Sequence, residues 1–244
     1  MNTRSFIRPL GILILSFLAA SCAEEAPPEV AVNTSDMAEA RPEIYADFTL
    51  TADMSHLSDD QKQMLVLLID AAQIMDDLFW RQSFGDDYES WLDSIADDRE
   101  RRFAELNYGP WDALDDDKSF MEGFGPKPLG AKFYPQDMSK SEFEEAYLPG
   151  KEGLYTFVRR DDEGRLVLVP YHVEYAEELQ AAAALLRQAA KLAKSPDFAN
   201  YLKLRAAALI SDDFQLSDSY WMDVMDKEID VVIGPIETYL DRLF

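Results

Sequence analysis

The chain has 244 residues, a formal net charge of −24, one cysteine and two histidines. Hydrophobic residues make up 48% and aromatics 12%, which is enough to build a real core. One cysteine excludes an internal disulfide framework and a cysteine-rich zinc module, and the acidic balance argues against nucleic acid, whose phosphates need a positive surface.

Residues 1–21 read as a targeting segment. Arg4 and Arg8 form a short basic region, and Gly11 to Ala20 is an apolar run too short to span a bilayer. The run ends in Ala19-Ala20-Ser21-Cys22. Small residues before the lone cysteine resemble a bacterial lipoprotein signal. Cleavage there would free the Cys22 thiol and amine for acylation, and several acyl chains make a stable anchor where one does not. An ordinary secretory signal with an incidental cysteine is the alternative. Ala23, not Asp, follows the cysteine. That points to the outer membrane of a bacterial envelope, facing the periplasm, with the lipid bilayer as a partner. Loss of residues 1–21 removes two arginines and no acid, so the mature chain is two charges more negative. Residues 22–42, rich in Glu, Ala and Pro, read as a flexible tether, and 43–244 as the folded part.

The first strong helix begins near Ser58, where Ser58 and Gln61 form a capping box. Met64, Leu68, Ala71, Met75 and Leu78 follow at helical spacing. A second helix is expected from about Asp87 to Leu106, with Trp91, Leu92, Ile95 and Phe103 on one face. From Asn107 to Gly150, prolines at 110, 126, 128, 135 and 149 and glycines at 109, 123, 125, 130 and 150 forbid long elements. The interleaved aromatics predict a packed, ordered coil with one short helix capped by Ser139 and Glu142.

A hairpin follows, Leu154 to Arg160 and Leu166 to Val169, joined by the Asp161–Gly164 turn. Next come an alanine-rich helix over about 173–194 and another starting at Ser195-Pro196, where proline suits the first helical position. Their short joint predicts a packed antiparallel pair, with Phe198, Leu202, Leu209 and Ile210 apolar on the second helix. A short helix near Asp218 to Met225 precedes Ile229 to Ile233, an apolar run that reads as a buried strand. Together the elements predict an α+β fold, mainly helical, with a β-hairpin and a short C-terminal strand.

Several chemistries have no motif. There is no His-Glu-x-x-His, no phosphate-cradling glycine loop and no Gly-x-Ser-x-Gly. His56 and His172 lack partners at helical ligand spacing and read as structural. The acidic runs at 115–117, 161–163 and 212–213 do not follow calcium-loop spacing and read as solvated turns and caps.

The most specific stretch is Ile229-Asp230-Val231-Val232-Ile233-Gly234-Pro235-Ile236-Glu237-Thr238-Tyr239. Glu237 and Tyr239, two residues apart, could present a carboxylate and a phenol to one side of a cleft. Read from the residues alone, a strand end with a capping Glu and a packed Tyr is the simpler account. The stretch belongs, however, to a series of motifs in fixed order. These are Asp77-Leu78-Phe79-Trp80-Arg81-Gln82, Asn107-Tyr108-Gly109-Pro110-Trp111-Asp112, Gly123-Phe124-Gly125-Pro126-Lys127-Pro128, Phe133-Tyr134-Pro135 with Asp137-Met138, Tyr155-Thr156-Phe157-Val158-Arg159-Arg160 and Val169-Pro170-Tyr171-His172. In this series, from about Leu57 to Phe244, the sequence resembles the dipeptidyl peptidase III family of zinc metallopeptidases, in a bacterial lipoprotein-like branch.

The resemblance implies the N-terminal part of a two-lobed hydrolase that removes dipeptides from peptide N-termini. It implies that Glu237 holds the substrate's α-amino group and that Tyr239 hydrogen-bonds the peptide near the scissile carbonyl. It also implies zinc, held in the family by a His-Glu-x-x-x-His helix and a later glutamate beyond the part matching Glu237 and Tyr239. The expectation is therefore a fragment with no metal ligand and no catalytic residue of its own, inactive alone. The alternative is a stand-alone envelope lipoprotein that binds peptides or another protein through its helical scaffold.

Overall fold

The computed structural model describes residues 37–225, 228–234 and 240–243. Cys22, Glu237 and Tyr239 lie outside these residues, as do the targeting segment and most of the expected tether.

Helix α1 (Asp59–Ser83) starts where local chemistry dictates. Ser58 Oγ accepts from Gln61 N, Gln61 Oε1 accepts from Ser58 N, and Asp59 and Asp60 face the positive end of the helix. The second expected helix is instead two, α2 (Tyr88–Ser94) and α3 (Asp98–Asn107). The break has a clear cause. Ile95 is extended, and the Asp97 carboxylate accepts from Arg99 N and Glu100 N, so it caps a new helix. Helix α3 ends on Tyr108 in the left-handed region (φ 51°), held by the Phe79 ring 4.6 Å away and by its hydroxyl's 2.5 Å bond to Asp76.

The Pro/Gly-rich coil is packed as its aromatics predict. Trp111, Phe120, Phe133 and Phe143 are all buried. It also holds a two-residue ladder, β1 (Trp111–Asp112) with β2 (Lys118–Ser119), too short for any periodicity to reveal. Helix α4 (Lys140–Glu145) is capped by Ser139. Strands β3 (Thr156–Arg160) and β4 (Leu166–Pro170) form the antiparallel hairpin, with Phe157 opposite Val169.

The alanine-rich helix is preceded by a separate turn, α5 (Tyr171–Glu174), and itself runs as α6 (Ala176–Leu192). Tyr175 at their junction is buried and non-helical. Helix α7 (Pro196–Ala208) begins on the Ser195 cap with Pro196 at its first position. Phe198, Leu202 and Leu209 are buried as expected, but Ile210 is 38% exposed because α7 has ended before it. Helix α8 (Gln215–Asp223) follows.

The main core is the packing of α1, α6 and α7. Met64, Leu68, Ala71 and Leu78 meet Leu179, Ala183, Leu186 and Ala190, and Tyr201, Leu202 and Ala206 close the other side. Alanines on α6 let the three backbones approach closely, since interaxial distance follows side-chain size. Phe133, Phe157, Tyr171 and Tyr175 extend the same core toward the hairpin. A smaller cluster of Ala40, Ile95, Phe103, Ala104 and Phe120 anchors residues 38–41 against α3. Ala38 N donates to Ser119 O, and Arg41 pairs with the fully buried Asp112 at 2.6 Å, so the packed chain begins upstream of residue 43.

Residues 228–234 contain no strand, in contrast to the buried strand expected over Ile229 to Ile233. Ile229 and Ile233 are buried on the main core, but Val232 is 69% exposed, and the Val231 carbonyl accepts from the Tyr201 hydroxyl at 2.7 Å. With no neighbouring strand, β-prone residues settle as an irregular segment. No helix of the described residues is long and apolar enough to cross a membrane.

Candidate functional site

The described residues flank the Glu237–Tyr239 stretch on both sides. Upstream, Ile233 sits in the core. Downstream, residues 240–243 are fastened to the 117–143 region at several points. Leu240 packs on the main core. Arg242 N donates to Leu129 O at 2.7 Å, and the Arg242 guanidinium pairs with Asp117 at 2.6 Å. Asp117, only 8% exposed, also takes Lys127 at 3.1 Å. The Tyr134 hydroxyl donates to Asp241 at 2.6 Å, and Lys140 Nζ donates to Leu243 O at 3.0 Å.

Tyr134 owes its position to Gly130. A Cβ on Gly130 would fall 2.3 Å from the Tyr134 ring, so only glycine lets the ring lie against that backbone. Burial first, and then the hydrogen bond to Asp241, push the Tyr134 phenol above its ordinary range. It therefore stays a donor beyond the pH at which an ordinary phenol ionises.

Beside this fastening lies a cavity of about 590 Å³, walled by Phe133, Tyr134, Phe143 and Tyr171 and edged by Lys140 and Asp241. Lys151 closes one side. Its ammonium takes the Phe143, Glu144 and Ala146 carbonyls at the end of α4, at 2.6, 3.0 and 3.0 Å, and lies 4.8 Å from the Phe143 ring. An aromatic wall with a few polar groups at its rim suits an extended peptide better than a compact polyanion.

A second concavity, of about 620 Å³, is lined by Arg81, Lys132, Arg159 and Arg160 with Asp86, Asp137 and Glu174. Its three arginines are spent on structure. Arg159 grips Glu174 at 2.6 Å and the Lys132, Phe133 and Val158 carbonyls. Arg160 joins Asp137, Glu142 and the Gly164 carbonyl, and Arg81 joins Asp86 and Glu178. This network binds α1, the 132–137 coil, the hairpin and α6 together.

His172 has a partner that sequence spacing could not reveal. Its Nδ1 lies 2.7 Å from Asp212 Oδ2, and its backbone N–H donates to the same carboxylate at 3.1 Å. Asp212 adopts φ 59° to make both contacts, and Asp117 adopts φ 54° in its own turn. Neither carboxylate is the plain solvated turn residue that the sequence suggested. His56 is exposed. Among the described residues no group of three or more His, Cys, Asp or Glu side chains is placed to hold a metal ion. The resemblance puts the zinc ligands beyond the part of the family matching Glu237 and Tyr239.

No family model matches the sequence. Among solved structures, dipeptidyl-peptidase III from Caldithrix abyssi superposes with a TM-score of 0.76 at 38% identity, covering 82% of this chain and 40% of that one. Dipeptidyl-peptidase III from Corallococcus sp. strain EGB gives 0.76 at 33% identity, covering 85% and 42%. The sequence is also 28% identical to Nudix hydrolase 3 of Arabidopsis thaliana, over 82% of this chain and 34% of the plant protein. The chain thus spans less than half the length of each. Over the matched stretch it has the fold of the bacterial dipeptidyl-peptidase III structures.

Proposed function

We propose that this chain, with its dipeptidyl-peptidase III fold, supplies the peptide-anchoring part of a zinc-dependent dipeptidyl peptidase. The observation that carries this reading is the superposition on the Caldithrix abyssi enzyme at 38% identity. Glu237 pairs with the α-ammonium of the substrate, and Tyr239 donates to the peptide near the scissile carbonyl. The fastening of residues 240–243 at Asp117, Leu129, Tyr134 and Lys140 supports the assignment, because a recognition segment works only if its backbone is held. The aromatic cavity beside Asp241 is the place for side chains of the same peptide.

In this reading zinc, when bound, would supply an activated water, with ligands that the resemblance puts beyond the part matching Glu237 and Tyr239. The chain alone binds peptide without cleaving it. Acylation at Cys22 places the domain on the bacterial outer membrane facing the periplasm, after removal of 1–21.

Hydrolysis of a dipeptidyl arylamide by the purified chain, with zinc added, tests the division of labour. No turnover is expected. Chelator-sensitive turnover would overturn the statement that the chain is inactive alone.

A further inference from the structure

Residues 228–234 lie just upstream of the Glu237–Tyr239 stretch and have no strand partner among the described residues. Side-chain ties from separate helices hold them instead. Gln61 Nε2, on α1, donates to the Glu228 carboxylate at 2.5 Å. Lys194 Nζ, in the joint between α6 and α7, donates to the same carboxylate at 2.8 Å. The Trp221 indole of α8 donates to Asp230 at 2.8 Å, and the Tyr201 hydroxyl of α7 donates to the Val231 carbonyl.

The Glu228 tie is the stiffest of these. Gln61 is 4% exposed, and its Oε1 already accepts from Ser58 N in the α1 capping box. The amide is thereby fixed, with Nε2 directed at Glu228. Gln61 first, and then Lys194, hold the Glu228 carboxyl below its ordinary range, so the acceptor is charged and the bond is a strong one. The Lys194 arm is solvent-facing and contributes less. Packing does not replace the tie. A cavity of about 190 Å³ lies beside it, lined by Gln61, Met64, Phe198, Glu228 and Ile229. Only Pro235 and Ile236 separate Gly234 from Glu237. Three residues reach at most about 11 Å, so a displaced 228–234 backbone has little chain in which to absorb the shift.

We propose that Glu228 is a positioning residue for peptide recognition: by tying residues 228–234 to the Gln61 amide, it sets where the Glu237 carboxylate meets the α-ammonium of the peptide. This role rests on the pairing of Glu237 with that ammonium. Glu228 acts through the backbone, and its removal blurs the placement of a group that must be held to bind well.

The test is calorimetric titration of the full chain, Glu228→Ala and Glu228→Gln with one short peptide, its α-amine free or acetylated. Both variants lose one negative charge, so any general attraction for cations falls equally in both. Only Glu228→Ala leaves the buried Gln61 amide without its acceptor. The unmodified chain should prefer the free amine. Glu228→Ala should cut that preference about tenfold, and Glu228→Gln should keep most of it. Amide hydrogen exchange across 229–234 should quicken in the Ala variant alone. Three results would overturn the positioning role while leaving the Glu237 pairing intact. These are an Ala variant with undiminished preference, a Gln variant as impaired as the Ala variant, or equal weakening of both peptide forms in step with the melting temperature. No preference in the unmodified chain would instead remove the Glu237 pairing itself, and the positioning role with it.

Discussion

The Tyr134 hydroxyl donates a 2.6 Å hydrogen bond to the Asp241 carboxylate across 107 positions of sequence. The bond joins the loop that walls the aromatic cavity to the residue two places past Tyr239. With the Arg242–Asp117 pair and the Arg242–Leu129 backbone bond, it holds the residues just downstream of Tyr239 from three sides.

Tyr134→Phe removes the donor and keeps the ring that rests on Gly130. The expected loss is about 1 kcal/mol, the usual net worth of such a bond. It should appear as a lower urea midpoint at unchanged slope. Asp241→Asn retains an acceptor oxygen and should cost less. A Phe variant with an unchanged midpoint would mean that the bond fastens nothing.

Tyrosine ionisation should weaken the fold at high pH. Burial, and then the bond to Asp76, push the Tyr108 phenol up to about 12, and Tyr134 is raised as well. A folded pKa above the unfolded value gives stability that is complete below about pH 10, the ordinary phenol value. That stability is lost as pH rises toward 12. Thermal melts of the chain should fall across this window, and Tyr108→Phe should fall less steeply. Parallel pH profiles would contradict the assignment.

The acid limit involves Arg160. Its hydrogen bonds hold Asp137 and Glu142 below their ordinary carboxylate ranges. Depressed folded values give stability that is present above the unfolded values and lost as pH falls through the folded ones. Arg160→Gln should therefore be less stable than the unmodified chain near neutrality, with the gap closing as the carboxylates protonate. Both carboxylates are solvent-facing, so salt should narrow the gap too. A gap independent of pH and salt would assign the loss to packing instead.

Leu186 is fully buried where α1, α6 and α7 meet. Leu186→Ala should cost roughly 2–5 kcal/mol through lost transfer and a residual cavity. Ser58→Ala, which removes the α1 cap, should cost about 1 kcal/mol. If the two costs came out in reverse order in denaturant titrations, the three-helix core would not be the centre of stability.

The elements governed by neighbours in sequence were readable in advance. Ser58 with Gln61, Ser139 with Glu142 and Ser195 with Pro196 each fixed a helix start from three or four residues. Leu179, Ala183, Leu186 and Ala190 recur at helical spacing along α6, and all four are buried. What failed depended on partners far along the chain. Ile229 to Ile233 has strand composition but no neighbouring strand among the described residues, whereas the break at Asp97 is local, its carboxylate capping Arg99 N and Glu100 N where the apolar stripe suggested one continuous helix. Asp117 and Asp212 looked like turn acids because Arg242, Lys127 and His172 meet them only in space.

The peptide-anchoring claim is tested most directly by calorimetric titration of the chain with a short peptide, its α-amine free or acetylated. The account predicts that the free amine binds more tightly and that Glu237→Gln removes the difference. Equal affinity for the two forms, or no binding of either, would contradict it.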